Sequence, residues 1–416
     1  MSQIANPSVP KRDLKFLLLE GISASAREQL TNNGYQNVEH LKVALDEDEL
    51  IEKLHDVRFL GVRSRTKITR RVVEACPRLA AIGCFSVGTN QVDLNAAHTL
   101  GIPVFNAPFS NTRSVAELTI AEAIMLLRRT FPRSAAAHEG RWDKSADGSF
   151  EGRGKTLGIV GYGNIGSQLA VLAESVGMRV AYYDHTDRLR HGNAEPMESL
   201  EALLECADVV TFHVPETPET KNMIGAAQLA RMRPGSYLIN NARGTIIDIP
   251  ALADALRSGH LAGAAIDVFP VEPGSNKQPF ESELRGLNNV ILTPHVGGST
   301  QEAQLRIGDE VARKLVDYSD VGTTVGAVNF PEVQLPRNPQ GTRFIQVQRN
   351  LPGELGRLNE VFAQNGANIG GQFYRTQGEI GYVVLDSDGA MDPTKADDIV
   401  RQVRGLDGTI RARVLM

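Results

Sequence analysis

The chain has 416 residues, too many for one ordinary hydrophobic core, so two or three domains are expected. Its formal net charge of −5 argues against a general nucleic-acid role, and no apolar run approaches the length needed to cross a bilayer. Met1 to Asp13 reads as a loose tail rather than a secretory signal, and Cys76, Cys84 and Cys206 lack metal-like spacing and read as buried reduced thiols, so a cytoplasmic protein without a metal site is expected.

In chain order, Lys15 to Glu20 predicts a short apolar strand, followed by an amphipathic helix near Ser25 to Asn32 and a strand at Val57 to Val62. The rhythm continues through strands at Leu79 to Phe85 and Pro103 to Asn106, which implies a parallel sheet. A single long helix is expected from about Ser114 to Ala137, entered through Asn111 to Ser114 with Glu117 placed as a capping-box partner.

The run Leu157 to Gly166 then carries an apolar strand straight into a G-x-G-x-x-G turn and a helix, the pattern of a dinucleotide site. Gly161 permits the tight turn, Gly163 lets the backbone approach a pyrophosphate, and Gly166 lets helix and strand pack closely. The next strand, Val180 to Tyr183, ends in Asp184, whose carboxylate suits the adenosine ribose hydroxyls and favours NAD; His185 and Arg188 leave a small opening for NADP. Later strands are expected at Val209 to Val214, Tyr237 to Asn241, Gly263 to Val268 and Val290 to Thr293, and a helix from Thr300 to about Tyr318 leads back to the first lobe. Pro331, Pro336 and Pro339 punctuate a polar extended linker, after which the order strand, helix, strand, strand, helix, strand from Arg343 to Val414 is the ferredoxin-like plan.

The expected fold is therefore α/β: two parallel-sheet, Rossmann-like lobes plus a C-terminal ferredoxin-like domain. The boundaries read as 1–110 with 300–330 for a discontinuous substrate-binding lobe, 111–299 for the NAD-binding domain, 331–341 for the linker and 342–416 for the tail.

Polar residues at strand ends behind the fingerprint are candidates to converge on a nicotinamide: Arg243 in Asn240-Asn241-Ala242-Arg243-Gly244, Glu272 after Asp267, and His295 after Thr293-Pro294. A histidine can take the hydroxyl proton of a 2-hydroxy acid as hydride leaves, a carboxylate can fix its tautomer, and an arginine fork can hold the substrate carboxylate. Arg63 and Arg65, with Ser64 between them, and Arg141 with Lys144 offer a cationic pocket for a strongly anionic substrate.

At these motifs, N-x-A-R-G, D-V-F-x-x-E-P and P-H-x-G-G-x-T, the chain resembles the D-isomer-specific 2-hydroxyacid dehydrogenases over nearly its whole length. The resemblance implies Arg243, Glu272 and His295 as the catalytic set, and cofactor contacts from Asn164, Ile165, Asp184, Asn241, Ala242, Asp267 and His295, Val296, Gly297 and Gly298. Within the family it is similar to short members with one C-terminal ACT regulatory domain. That implies NAD-dependent oxidation of 3-phospho-D-glycerate to 3-phosphooxypyruvate, the first step of phosphorylated L-serine biosynthesis, with serine feedback. Asn350 and Asn368 match positions that contact serine in regulated relatives, while Gln348 stands where a histidine is usual. A homotetramer is implied, and Trp142, the only tryptophan, is a candidate anchor in a neighbour. Two rival readings are a dehydrogenase for another acid such as 2-hydroxyglutarate, and a non-enzymatic NAD-sensing protein.

Overall fold

Short apolar runs such as Phe16-Leu17-Leu18 form strands because both of their faces can be covered, and this happens three times along the chain. The computed structural model describes residues 9–273, 277–336 and 341–415. Contacts gather them into two compact units: one combines the chain through Ser110 with the chain from Gln304 onward, and the other is Asn111–Ala303.

The first unit holds a five-stranded parallel sheet in the order Val38–His40, Phe16–Leu18, Phe59–Val62, Ala81–Cys84, Val104–Phe105. Four of the helices around it start on side-chain caps, among them Glu47–Lys53, where Asp46 and Glu49 form a reciprocal capping box, and Leu94–Thr99, where Asp93 accepts from Ala96 N. The edge strand Val38–His40 and the helix Glu47–Lys53 are additions to the sequence reading; the strand has only three half-buried residues and gives little alternation to read.

The second unit holds a seven-stranded sheet, also parallel, in the order Val290–Leu292, Leu261–Ile266, Ser236–Asn240, Val209–Phe212, Thr156–Val160, Arg179–Tyr183, Glu195–Pro196. The chain lays strands outward on one side of Thr156–Val160 and then on the other. That reversal opens a crevice at the strands' carboxyl ends, where open α/β sheets hold their ligands.

The single long helix expected from Ser114 to Ala137 is instead two, Thr112–Leu127 and Thr130–His138, separated by Arg129 at φ +50°. Pro132 explains the break, because it has no N–H to give the carbonyl of Arg128 and its ring crowds that group. Glu117 makes no capping box either; it accepts from Arg113 Nε at 2.6 Å, and the N-cap Asn111 makes no side-chain cap.

The C-terminal module is a four-stranded antiparallel sheet, Ile369–Gln377, Ile380–Ser387, Arg343–Arg349, Thr409–Leu415, with helices Glu354–Gln364 and Pro393–Arg404. One face packs on its own helices through Phe344, Phe362, Val383 and Val400. The other joins the first lobe's core, where Ile345, Val347, Ile380 and Tyr382 cluster with Phe105, Tyr318 and Phe330.

The segment before this module is no loose polar linker where it is described. Val333 and Leu335 are buried, and Val333 exchanges bonds with Thr324 at 2.8 and 3.0 Å. Residues 337–340 of the expected linker, and 1–8 of the expected tail, lie outside the described residues. Cys76 and Cys84 are buried, whereas Cys206 is partly exposed; all three are free thiols. Among the described residues no helix is long and apolar enough to cross a membrane, and no cluster of three metal-ligating side chains occurs.

Candidate active site

The glycine turn has the geometry its sequence demands. Gly161 adopts φ +92°, and a Cβ there would stand 2.6 Å from the carbonyl oxygen of His213. A Cβ on Gly166 would stand 2.2 Å from the Gly161 oxygen, so only glycine lets the helix Asn164–Ser175 approach the turn. Gly163, its N-cap, faces open space. The helix thus presents free N–H groups and its positive dipole end at the crevice, where a pyrophosphate fits.

Asp184 sits at the end of the neighbouring strand. Its Oδ2 accepts from Tyr162 N at 2.8 Å, and its Oδ1 accepts from Thr186 N and Oγ1 at 3.1 and 3.0 Å. Burial would raise its pKa, but these bonds and Arg188 together hold it below the usual value. His185 and Arg188 each approach the carboxylate to 3.3 Å, so the guanidinium of Arg188 is spent on Asp184.

Asp267 organises the next wall. Its carboxylate accepts from Thr293 Oγ1 at 2.6 Å and from Val296 N and Gly297 N at 2.8 Å, while its carbonyl accepts from His295 N at 2.8 Å. These four bonds fix the loop Thr293 to Gly297 and hold His295 at φ +55°. The carboxamide of Asn241 is buried and donates to Thr119 Oγ1 at 3.0 Å and to Glu122 Oε2 at 2.7 Å. Its Oδ1 and Glu122 Oε1 are both buried without a partner.

His295 and Glu272 come together from 23 residues apart, with Nδ1 at 3.0 and 2.9 Å from the two carboxylate oxygens. Since a carboxylate only accepts, Nδ1 carries the proton and Nε2 is left as the ring's basic atom, with no hydrogen-bond partner among the described residues. The bond to Glu272 raises the histidine's pKa, against burial and Arg243. Burial alone would push Glu272 up, but His295, the Phe269 N–H and Arg243 carry it below the ordinary carboxylate range. Arg243 Nη1 donates to Ala242 O at 2.6 Å; burial lowers its pKa, partly offset by Glu216 and Glu272.

The remaining expected residues fall in different places. Arg63, Ser64 and Arg65 follow the strand Phe59–Val62 in the first unit, shaped by the buried carboxylate of Glu20, which accepts from the N–H groups of Arg63, Arg65 and Thr66 at 3.3, 3.0 and 2.9 Å. Arg141 and Lys144 lie in an exposed loop of the second unit, where Arg141 pairs with Glu139; neither is bonded to Arg243, Glu272 or His295. In the tail, Gln348 is fully buried with both amide atoms unpartnered, Asn350 Nδ2 donates to Gly378 O at 3.1 Å, and Asn368 Nδ2 to Asp388 Oδ2 at 3.1 Å. Glu20 and Glu122 escaped the sequence reading. Glu122 could have been found as an acid on the apolar stripe Ala116, Thr119, Ala123, Leu126.

Residues 120–297 match the family model for the D-isomer specific 2-hydroxyacid dehydrogenase NAD binding domain, and residues 345–411 the AHAS small subunit-like ACT domain. D-3-phosphoglycerate dehydrogenase of Escherichia coli (strain K12) is 55% identical over 412 residues, covering 99% of this chain and 100% of that protein. D-3-phosphoglycerate dehydrogenase 1 of Saccharomyces cerevisiae is 46% identical over 415 residues, covering 97% and 88%. Among solved structures, D-lactate dehydrogenase from Aquifex aeolicus, complexed with NAD and lactic acid, is 27% identical with a TM-score of 0.67, over 76% of this chain and all of that one. The chain belongs to the D-isomer-specific 2-hydroxyacid dehydrogenase family, with that family's NAD-binding domain and a C-terminal ACT domain. The relatives that match it from end to end are D-3-phosphoglycerate dehydrogenases.

Proposed function

We propose that the chain oxidises 3-phospho-D-glycerate to 3-phosphooxypyruvate, opening phosphorylated L-serine biosynthesis, and that L-serine restrains it through the ACT domain. The observation that carries the chemistry is the His295–Glu272 pair, with Nδ1 2.9 Å from the nearer carboxylate oxygen. NAD, held by the glycine turn, Asn164, Ile165 and Asp184 with the loop His295 to Gly298, supplies the hydride acceptor. As the C2 hydride leaves, Nε2 of His295 takes the hydroxyl proton, and Glu272 balances the imidazolium that forms. Arg243 holds the substrate carboxylate, and Arg63, Ser64, Arg65, Arg141 and Lys144 are assigned to its phosphate end.

The tail's geometry supports a link between serine control and assembly. Asn350 stands beside Glu379, before the strand Ile380–Ser387, and Asn368 beside Asp388, after it. The two asparagines are separated by a whole strand, about 25 Å. One serine therefore meets both only between copies of the chain, which supports a ligand bridging paired tails. Trp142, 88% exposed, supports a second contact between copies, and together they suggest a homotetramer working in the cytoplasm.

The test is NADH formation by the purified chain with 3-phospho-D-glycerate, 2-hydroxyglutarate and D-lactate, each with and without serine. Turnover of 3-phospho-D-glycerate that serine depresses is expected. Turnover confined to another acid overturns the substrate assignment, and inhibition equal in the Asn350→Ala variant removes the tail from the control.

A further inference from the structure

Within the first compact unit, where the ACT module meets the lobe, lies a cavity of about 700 Å³. Three arginines on its wall, Arg58, Arg411 and Arg413, have no ion-pair partner among the described residues; main-chain carbonyls hold them instead. Arg58 Nη1 donates to Arg78 O at 3.0 Å, Arg411 Nε and Nη1 to Leu100 O and Leu79 O at 2.5 and 2.6 Å, and Arg413 Nη2 to Tyr318 O at 2.6 Å. Arg413 also lies over the Tyr318 ring, 4.4 Å from its centroid, and its Nε is buried with no partner at all.

The wall is lopsided in charge. These three residues with Lys11 and Arg404 make five cations against two carboxylates, Glu74 and Asp320. Asp320 is already taken by Lys11 Nζ at 2.6 Å and the Tyr35 hydroxyl at 2.5 Å, and Glu74 pairs with Arg70 at 3.4 Å. Burial lowers the pKa of Arg58, and Arg413, Arg78 and Arg404 crowd it further with like charge; burial brings Arg411 down to about 10. Elsewhere the wall is mostly apolar, with Phe59, Ile345, Val347 and Ile410 beside the hydroxyl-bearing Ser319 and Thr409.

A guanidinium taken out of water without a counter-ion is costly, and each fork carries five N–H donors of which few are spent here. An anion with several oxygens would repair both deficits, and the cavity has the size of a small-molecule site. We propose that this cavity binds a small organic polyanion, a phosphate ester or a polycarboxylate, through the unspent donors of Arg58, Arg411 and Arg413. A ligand touching both module and lobe would stabilise their docking by mass action.

The test is calorimetric titration of the full-length protein with pyrophosphate and with citrate. NADH and 3-phospho-D-glycerate are kept saturating so that the catalytic cleft is filled, and sodium chloride is matched for ionic strength. One site per chain is expected for at least one probe, weakened tenfold or more in both Arg413→Gln and Arg58→Gln while KM for 3-phospho-D-glycerate stays unchanged. Preference for pyrophosphate points to a phosphate ester and preference for citrate to a polycarboxylate. Absence of binding by both probes, or undiminished binding in both variants, overturns the proposal. Should Arg413→Gln fail to fold, Arg58→Gln, which gives up only one bond to a carbonyl, decides it.

Discussion

His295 occupies the left-handed region at φ +55°, a conformation that costs a non-glycine residue roughly 1–3 kcal/mol and persists only where its surroundings impose it. Asp267 does the imposing, and the strain aims the imidazole at Glu272. If Nε2 is the proton acceptor, His295→Asn should lower turnover by about 10²- to 10⁴-fold while NADH binding, read by fluorescence titration, stays near normal. The sign of the pH dependence follows from the raised histidine pKa. Oxidation needs the neutral ring, so kcat/KM for oxidation should climb with pH through a midpoint above that of an ordinary histidine. Glu272→Gln removes the main cause of the rise and should move the midpoint downward; a profile that does not move would make Glu272 a structural group.

Glu122 gives a second prediction at this scale. Burial chiefly pushes its pKa up to about 7, with Asp267 adding to the shift and Asn241 opposing it. The folded protein then holds a proton that the unfolded chain has released, so stability falls as pH rises from about 4.5 to about 7 and stays low beyond. Glu122→Gln keeps the contact to Asn241 and should flatten that fall, worth roughly 2–4 kcal/mol, in urea titrations at pH 5 and pH 8. Arg243, Glu272 and His295 could be singled out as candidates because they sit in long local motifs. Glu122 shows in the sequence only as an acid on a helix's buried face, and the pairings of Glu122 and Glu20 do not show at all, because their partners are 119 and about 45 positions away and only the folded chain brings them together.

At the scale of elements, the glycine turn separates folding from binding. Gly166→Ala forces a methyl group onto the Gly161 carbonyl and Ile159, and overpacking of this kind costs roughly 1–3 kcal/mol, visible as a lowered Tm. Gly163→Ala meets nothing within 4 Å, so the fold should keep its Tm while NADH affinity drops, since the methyl group would stand where the proposed cofactor site has the pyrophosphate approach. Equal effects of the two changes on Tm would contradict this division. The strands that were predicted lie within a residue or two of those observed, because strands buried on both faces appear as short apolar runs, whereas the short edge strands Val38–His40 and Glu195–Pro196 were missed. The break after Leu127 was hidden by continuous helical periodicity on either side, although Pro132 was the available signal.

For the whole molecule, the ferredoxin-like order of the tail was plain in the sequence, but its attachment was not. The strand Ile380–Ser387 is buried along its entire length, so both of its faces are covered, one by the module's own helices and one by the lobe. The prolines Pro331, Pro336 and Pro339, read as marks of an extended linker, concealed the buried Val333 and Leu335 that hold the chain down.

The buried thiols have a use unconnected with catalysis. Burial lifts Cys76 to about 11 and Cys84 to about 12, so at neutral pH neither offers a thiolate to an alkylating reagent while the first lobe is closed. Cys206, partly exposed in the other unit, is the thiol left for reagents to find first. The enzyme thus carries a chemical stopwatch. In native buffer one cysteine should label quickly and two slowly, and the slow pair should accelerate together with added urea, timing the opening of the first lobe; three equal rates from the outset would mean that its core is already permeable.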